Sequence, residues 1–231
     1  TKVDSEYPDN KLTGATFEVY KDSNATGNLD DGDELLGTLT EKEIGEYSMN
    51  DLFYGRYFVK ETKAPEGFVL DTGVYEVMID TNGKTYKVEN KAGVGFVNDA
   101  MRGNLKIIKT SSDGKVKGFA FRITGANGYD IILETNDKGE IFIDGLRIGD
   151  YTISEVSNSA SSMYVIPADK KATVKIGSTT IVEMHNVLRD TPKTGDTTNL
   201  PLLYALAGLS AVGIAVCGVI GFKKKKKEDR N

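Results

Sequence analysis

The first 188 residues of this chain contain one sequence pattern twice. Residues 45–62 read GEYSMNDLFYGRYFVKET, and residues 139–156 read GEIFIDGLRIGDYTISEV. The two segments align without a gap and share two glycines, two glutamates, a leucine and a tyrosine. The segments LTGATFEV and VKGFAFRI, upstream of each copy, continue the match. An internal repeat of this kind predicts two domains with one fold, which we place at residues 1–100 and 104–188.

Each copy consists of short segments of alternating polarity that are separated by Gly, Asn and Asp. In the second copy these segments lie near 104–110, 118–124, 130–135, 140–143, 150–156, 172–176 and 179–186. Strands of this length and spacing are typical of antiparallel sandwiches. The sequence therefore predicts an all-β fold made of two tandem Greek-key β-sandwich domains.

The charge of the chain is unevenly distributed. Residues 223–231, KKKKKEDRN, carry six bases and two acids, so the formal charge of −5 divides into +4 for this tail and −9 for the rest. An acidic body is unfavourable for nucleic acid, and we expect no nucleic-acid partner. The chain has one Cys and one His, which excludes an internal disulfide and argues against multi-His metal sites. We find no nucleophile–base pair or phosphate loop and expect no enzyme.

Residues 200–222, LPLLYALAGLSAVGIAVCGVIGF, are uncharged. A helix of this length would span about 34 Å, enough for a bilayer core of about 30 Å. Five lysines follow at once, and the positive-inside rule places the C-terminus in the cytoplasm and residues 1–199 outside. We therefore predict a single transmembrane helix at 200–222 and a basic cytoplasmic tail at 223–231.

A linker at residues 189–199 precedes the apolar run. It contains the motif TPKTG, formed by Thr191, Pro192, Lys193, Thr194 and Gly195. With the apolar span and the lysines behind it, this motif resembles the LPXTG cell-wall sorting signal of Gram-positive bacteria, with Thr191 where that signal usually has Leu. The resemblance implies that a membrane sortase cleaves after Thr194 and transfers the chain to peptidoglycan, so that the membrane holds it only during sorting. The implied location is the secreted, wall-anchored surface.

The repeat resembles the collagen-adhesin B-type (SpaA-like, prealbumin-like) domains of Gram-positive surface proteins. The segment YFVKETKAPEGF at 57–68 is similar to the E-box of that family. The second copy keeps the corresponding YTISEV but departs from the family after it. The resemblance covers nearly all of residues 1–188.

Strand alternation places three polar residues of the second copy on apolar faces. The three faces are Leu105, Ile107 and Lys109; Tyr151, Ile153 and Glu155; and Val182, Met184 and Asn186. The first copy repeats the pattern with Glu61 and Asn98, and Lys2 stands where its first strand is expected. Because burial of an unpaired charge is costly, we expect each buried Lys and Glu to be a neutral pair.

The family resemblance implies that each such set forms a Lys–Asn isopeptide bond. The neutral lysine amine attacks the asparagine carbonyl, a protonated glutamate polarises that carbonyl, and ammonia leaves. The implied cross-links join Lys2 to Asn98 and Lys109 to Asn186, with Glu61 and Glu155 as the catalytic residues. The alternative is that these side chains lie at strand ends and reach solvent.

Asn90 is a second candidate for the first-domain asparagine. Tyr86, Val88 and Asn90 alternate, and Asn90 follows Glu61 by 29 residues, close to the 31 that separate the corresponding pair of the second copy. We favour Asn98 because the residues after it resemble the short linker between such domains.

The first copy has ten extra residues around DSNATGNLDDGDE at 22–34. Asp22, Asn24, Asp30 and Asp33 fall at positions 1, 3, 9 and 12 of a calcium-loop spacing, which suggests a calcium site. Position 12 is Asp rather than Glu, however, and no helix flanks the loop. An ordinary solvated turn is the alternative, and we consider no other cofactor.

These features together indicate the wall-proximal stalk of a surface adhesin. The chain begins with Thr and shows no signal peptide although its sorting signal requires secretion. We therefore expect a longer parent protein whose N-terminal region binds an unknown host ligand. The alternative is a pilin subunit polymerised by a pilin-type sortase, for which YPDN at 7–10 is only a weak motif match.

Overall fold

The computed structural model describes residues 1–190, which form sixteen β-strands and one 3-10 turn, Ala126–Gly128. The strands of the first domain are β1 Lys2–Asp4, β2 Thr16–Lys21, β3 Glu34–Thr38, β4 Thr40–Glu43, β5 Glu46–Ser48, β6 Gly55–Lys63, β7 Val74–Ile79 and β8 Phe96–Asn98. Those of the second domain are β9 Arg102–Ser111, β10 Ala120–Gly125, β11 Asp130–Glu134, β12 Glu140–Arg147, β13 Gly149–Val156, β14 Tyr164–Val165, β15 Lys170–Val174 and β16 Thr179–Leu188. The all-β prediction is confirmed.

The second domain is a sandwich of two four-stranded sheets. One sheet has the strand order β11-β10-β13-β15, and the other has the order β12-β9-β16-β14. Leu105 and Ile107 of β9 and Phe121 and Ile123 of β10 have no exposed surface and belong to one core cluster. Since successive side chains of a strand point to opposite faces, burying every second residue holds the two sheets face to face.

The first domain has the same plan with shorter strands. Its four-stranded sheet has the order β3-β2-β6-β7, and two-stranded pairs are formed by β1 with β8 and by β4 with β5. Phe96 of β8 packs edge-on against Phe17 of β2 and Tyr75 of β7, with ring centroids 4.8 and 5.0 Å apart. This aromatic contact joins the short β1–β8 pair to the larger sheet.

In both domains the first strand pairs in parallel with the last strand. The register places Lys2 opposite Phe96 and Lys109 opposite Met184. In each domain the asparagine predicted to react follows two positions later on the last strand. Residues two apart on a strand share a face, so each lysine and its asparagine are diagonal neighbours.

Main-chain hydrogen bonds join the two domains. The N–H of Met101 donates to Gly67 O at 2.8 Å, and the N–H of Val69 donates to Asp99 O at 2.8 Å. The N–H of Ile148 in the second domain donates to Met101 O at 3.0 Å. The connection is therefore bonded to both domains and does not hang free between them.

A charged contact completes the joint. Arg147 donates from two nitrogens to the two carboxylate oxygens of Asp4, at 2.5 and 2.8 Å, and a third bond reaches Glu6 at 2.7 Å. The rings of Tyr7 and Phe68 lie 4.9 and 5.9 Å from the guanidinium carbon. Two-point bonding of a carboxylate by arginine fixes orientation as well as distance, so this contact holds Arg147 and Asp4 in one arrangement.

Two sequence expectations need correction. The pattern missed β14, because a strand of two residues is too short to show alternation. It also suggested an alternating strand through Tyr86, Val88 and Asn90, whereas residues 84–89 form no strand.

The C-terminal predictions lie outside the described residues. These are the TPKTG motif at 191–195, the transmembrane helix at 200–222 and the basic tail at 223–231. Within residues 1–190, no helix has the length and hydrophobicity needed to span a bilayer.

Candidate functional site

Lys2, Glu61 and Asn98 meet in the interior of the first domain. Their exposed fractions are 0, 0 and 3 %. Lys2 Nζ lies 3.6 Å from Glu61 Oε1, and Asn98 Nδ2 donates to the two Glu61 oxygens at 3.0 and 2.9 Å. The fold therefore places the three predicted residues together in a site closed to solvent.

Lys109, Glu155 and Asn186 form the matching cluster in the second domain. They are 1, 7 and 0 % exposed, and Asn186 Nδ2 donates to Glu155 Oε1 at 2.6 Å. The Lys109 ammonium donates to the main-chain carbonyl of Thr110 and lies 4.1 Å from the ring centroid of Phe119. Lys2 has the same two kinds of neighbour, since its Nζ donates to Phe96 O at 3.2 Å and lies 5.0 Å from the ring centroid of Phe96.

A glycine shared by the two repeats positions each lysine. The N–H of Lys2 donates to Gly45 O at 2.7 Å, and the N–H of Lys109 donates to Gly139 O at 2.8 Å. Gly45 and Gly139 have φ of +71° and +76°. A Cβ on either would lie 2.8 or 2.7 Å from the carbonyl oxygen of the lysine. Only glycine tolerates both this φ and this approach, which explains the shared residue physically.

Burial shifts the titration of these groups towards their neutral forms. It lowers the pKa of Lys2 to about 8, although the charge of Glu61 opposes the shift. It also lowers the pKa of Lys109 and raises the pKa of Glu155, although the attraction between these two opposes both shifts. Each of these shifts disfavours the charged form of its group, so burial favours the neutral amines of Lys2 and Lys109 and the neutral carboxyl of Glu155.

The asparagine side chains are oriented differently from the sequence-based expectation. That expectation had each glutamate donate a hydrogen bond to the carbonyl oxygen of the asparagine. In both clusters the amide nitrogen faces the glutamate, and in the described part of the chain Asn98 Oδ1 and Asn186 Oδ1 are buried without a hydrogen-bond partner. An unpaired buried carbonyl costs roughly 1–3 kcal/mol. In each cluster the glutamate carboxyl therefore contacts the amide nitrogen of the asparagine, which is the atom that would leave as ammonia.

The side chain of Asn90 has different hydrogen-bond partners from that of Asn98. Its amide donates to Asp71 Oδ2 at 2.6 Å and to the main-chain carbonyl of Val97 at 2.8 Å. Asn98, and not Asn90, is the asparagine that contacts Glu61. Which of them forms a cross-link stays a prediction.

The acidic loop connects β2 and β3. Asn24 Nδ2 donates to Asp30 Oδ1 at 2.7 Å, the N–H of Asp30 donates to Asp33 Oδ2 at 3.0 Å, and Asp22 forms an ion pair with Arg56 at 3.3 Å. Among residues 1–190, no group of three or more His, Cys, Asp or Glu is arranged to hold a metal ion. Calcium binding stays a prediction, which calorimetry with millimolar calcium would test.

Arg147 and Asp71 were not predicted from the sequence. The repeat alignment places Phe53 opposite Arg147, and this change from aromatic to basic was the available signal. Asp71 follows the E-box segment and had no distinguishing signal, since its role depends on contacts with distant residues.

Comparisons with known proteins agree with the architecture. The model of the family described as SpaA, prealbumin-like fold domain, matches residues 1–92 and 103–188. The trypsin-resistant surface T6 protein of Streptococcus pyogenes serotype M6 is 27 % identical over 172 residues, which cover 73 % of this chain and 28 % of that protein.

Two solved structures share the fold. The Bacillus anthracis TIE protein gives a TM-score of 0.59 at 24 % identity, covering 80 % of this chain and 32 % of the other. The pilus adhesin SpaC from Lactobacillus rhamnosus GG gives a TM-score of 0.50 at 14 % identity, covering 82 and 31 %. This chain thus spans about a third or less of each of these relatives. Since the family model covers both repeats and most of the sequence, the chain belongs to the family of SpaA prealbumin-like fold domains.

Proposed function

We propose that this chain is the wall-proximal stalk of a sortase-anchored surface adhesin, and that an isopeptide bond stiffens each of its domains. The observation that carries the proposal is the pair of buried Lys–Glu–Asn clusters at equivalent places in the two domains. Burial of such groups costs free energy unless they are paired. A cross-link would replace the charged lysine and the amide by one uncharged amide.

The proposed reaction balances within each cluster. The neutral lysine Nζ attacks the asparagine Cγ, the Nζ–Cγ bond forms, and the Cγ–Nδ2 bond breaks. The protonated glutamate gives its proton to Nδ2, which leaves as ammonia, and the carboxyl takes one proton from the amine, so the glutamate ends in its starting form. The contacts of Glu61 with Asn98 and of Glu155 with Asn186 support this relay, since each carboxyl already touches the departing nitrogen.

The topology gives the cross-link a mechanical role. The chain enters each domain on its first strand and leaves on its last, and these two strands are parallel neighbours. A pulling force along the chain would therefore load the hydrogen bonds between them. A covalent bond from Lys109 to Asn186 would carry the load past the second domain without unfolding it.

A pilin subunit is the alternative function. The fold is shared with a pilus adhesin, and three residues of the YPDN segment, 8–10, are exposed between β1 and β2. Tyr7 of this segment, however, packs against Arg147 in the joint. The stalk is therefore the function that we favour.

Two experiments test the proposal. Proteolysis of the purified chain should release branched peptides that join Lys2 to Asn98 and Lys109 to Asn186, which fragmentation mass spectrometry identifies. Linear peptides alone would contradict the cross-links. In a Gram-positive host that carries a sortase, wall extracts should give a single wall-linked band, whereas a ladder of covalent polymers would favour the pilin.

A further inference from the structure

Asp71 lies beside the first-domain cluster, in the connection from β6 to β7. Its main-chain N–H donates to Glu61 Oε2 at 2.8 Å. Its carboxylate accepts hydrogen bonds from the N–H of Gly73 and the hydroxyl of Tyr75, each at 2.7 Å. The residue is therefore fixed by its side chain while its main chain holds the glutamate of the cluster.

The carboxylate of Asp71 also holds Asn90, and Asn90 holds the strand that carries Asn98. The N–H of Val97 donates to Asn90 Oδ1 at 2.6 Å, and Asn90 Nδ2 donates back to Val97 O at 2.8 Å. The same nitrogen donates to Asp71 Oδ2 at 2.6 Å. The Asn90 carboxamide thus makes the two hydrogen bonds to the main chain of Val97 that a neighbouring strand would make. Val97 belongs to β8, which is only three residues long.

The second domain supports its cluster in another way. The segment after β13 forms β14, which pairs directly with β16 and places Val165 opposite Val187. Among the described residues Glu155 Oε2 has no hydrogen-bond partner, whereas the corresponding oxygen of Glu61 accepts the N–H of Asp71. In the second domain a main-chain strand pairing supports the last strand, whereas in the first domain the side chains of Asp71 and Asn90 do so.

We propose that Asp71 is a positioning residue for cross-linking in the first domain, because it connects Glu61 directly, and Asn98 through Asn90, into one fixed arrangement. This inference rests on the proposed function. Neither Asp71 nor Asn90 exchanges atoms with the reacting groups. Their effect is to hold the carboxyl and the asparagine at the separation that the proton relay requires.

Asp71 also acts on Lys2 through its charge. Burial lowers the pKa of Lys2, and the charges of Glu61 and Asp71 both oppose that shift. Burial would raise the pKa of Asp71, but hydrogen bonds from Tyr75 and Asn90, together with the charge of Lys2, bring it below its ordinary value. The lowered pKa favours the anion of Asp71 near the amine, and its neutralisation should lower the pKa of Lys2 further.

The test follows the appearance of the two branched peptides after refolding of the full chain from denaturant. Asn90→Asp places two carboxylates against each other and should slow the Lys2–Asn98 reaction about tenfold. The exchange Asp71→Asn with Asn90→Asp restores one N–H···O bond between the positions and should recover most of the rate. The Lys109–Asn186 reaction in the same molecules is the internal control. Asp71→Asn alone should shift the pH dependence of the Lys2–Asn98 rate to lower pH, because loss of the Asp71 charge lets Lys2 lose its proton at lower pH.

Rates and profiles identical to wild type in Asn90→Asp and Asp71→Asn would overturn the positioning role, as would an exchange variant as slow as Asn90→Asp. Melting of each variant in an unreactive Asn98→Ala background separates slow chemistry from poor folding. If the wild-type chain forms the Lys109–Asn186 peptide and never the Lys2–Asn98 peptide, the proposed function fails for the first domain and this inference fails with it.

Discussion

The amide nitrogen of Asn186 lies 2.6 Å from Oε1 of Glu155, and in the described residues the other oxygen of that carboxyl has no partner. Burial raises the pKa of Glu155, which shifts this carboxyl towards its uncharged form. A protonated carboxyl beside the departing nitrogen is the arrangement that a proton relay needs.

Glu155→Gln should abolish the Lys109–Asn186 cross-link, because glutamine has the shape of glutamic acid but cannot relay a proton. The cross-link encloses the 76 residues between its two ends. Its loss should cost on the order of 4–5 kcal/mol by the loop-entropy rule. Peptide mapping and urea denaturation measure the two effects. Glu183→Gln, on the exposed face of β16, is the matched control, and equal losses in both variants would refute the relay.

The buried Lys2 makes the stability of the uncross-linked first domain depend on pH. Its pKa falls from 10.5 to about 8 on folding, so between these values the unfolded chain holds a proton that the folded chain has released. Stability must then rise with pH across this window. In Asn98→Ala, which cannot react, the urea midpoint should increase from pH 8 to pH 10. The double variant with Lys2→Met should lack the increase, and an equal rise in both would show that Lys2 is not its source.

Arg147→Ala should destabilise the chain through the joint. It leaves Asp4, whose side chain is 2 % exposed, as a buried charge without its arginine, at a cost of about 3–5 kcal/mol. The matched control is Arg122→Ala, because Arg122 also bonds both oxygens of an aspartate, Asp130, with side chains 53 and 44 % exposed. Such an exposed pair should cost less than about 1 kcal/mol.

Equal denaturation midpoints for the two variants would contradict the role of the joint. Small-angle scattering should show a wider range of domain angles only for Arg147→Ala.

The internal repeat allowed the fold to be predicted, but it gave no sign of the contact between Arg147 and Asp4 that joins the two domains. Periodicity in β9, β13 and β16 located Lys109, Glu155 and Asn186 of the second domain, because alternation alone assigns a side chain to a face. It could not choose between Asn90 and Asn98, since both continue an alternating pattern and the spacing from Glu61 favours Asn90, whereas the tertiary contact with Glu61 is made by Asn98. The contact of Arg147 with Asp4 joins positions 143 residues apart, and no local pattern encodes such a pair.

The sorting motif gives a prediction about location. Pro192→Ala or Thr194→Ala should prevent cleavage and wall attachment by sortase, because these residues form the core of the motif. In a Gram-positive host the variants should move from the wall fraction to the membrane and the medium. Thr198→Ala, in the linker but outside the motif, is the control. Normal amounts of wall-bound protein for both motif variants would contradict the sorting assignment.

The mass of the intact, denatured wild-type chain tests the central claim most directly. Each isopeptide bond releases one ammonia, so two bonds should make the chain about 34 Da lighter than its sequence requires. Lys109→Arg, which removes one nucleophile, should halve this deficit, and Lys2→Arg together with Lys109→Arg should abolish it. A wild-type chain at its full unreacted mass would contradict the account for both domains.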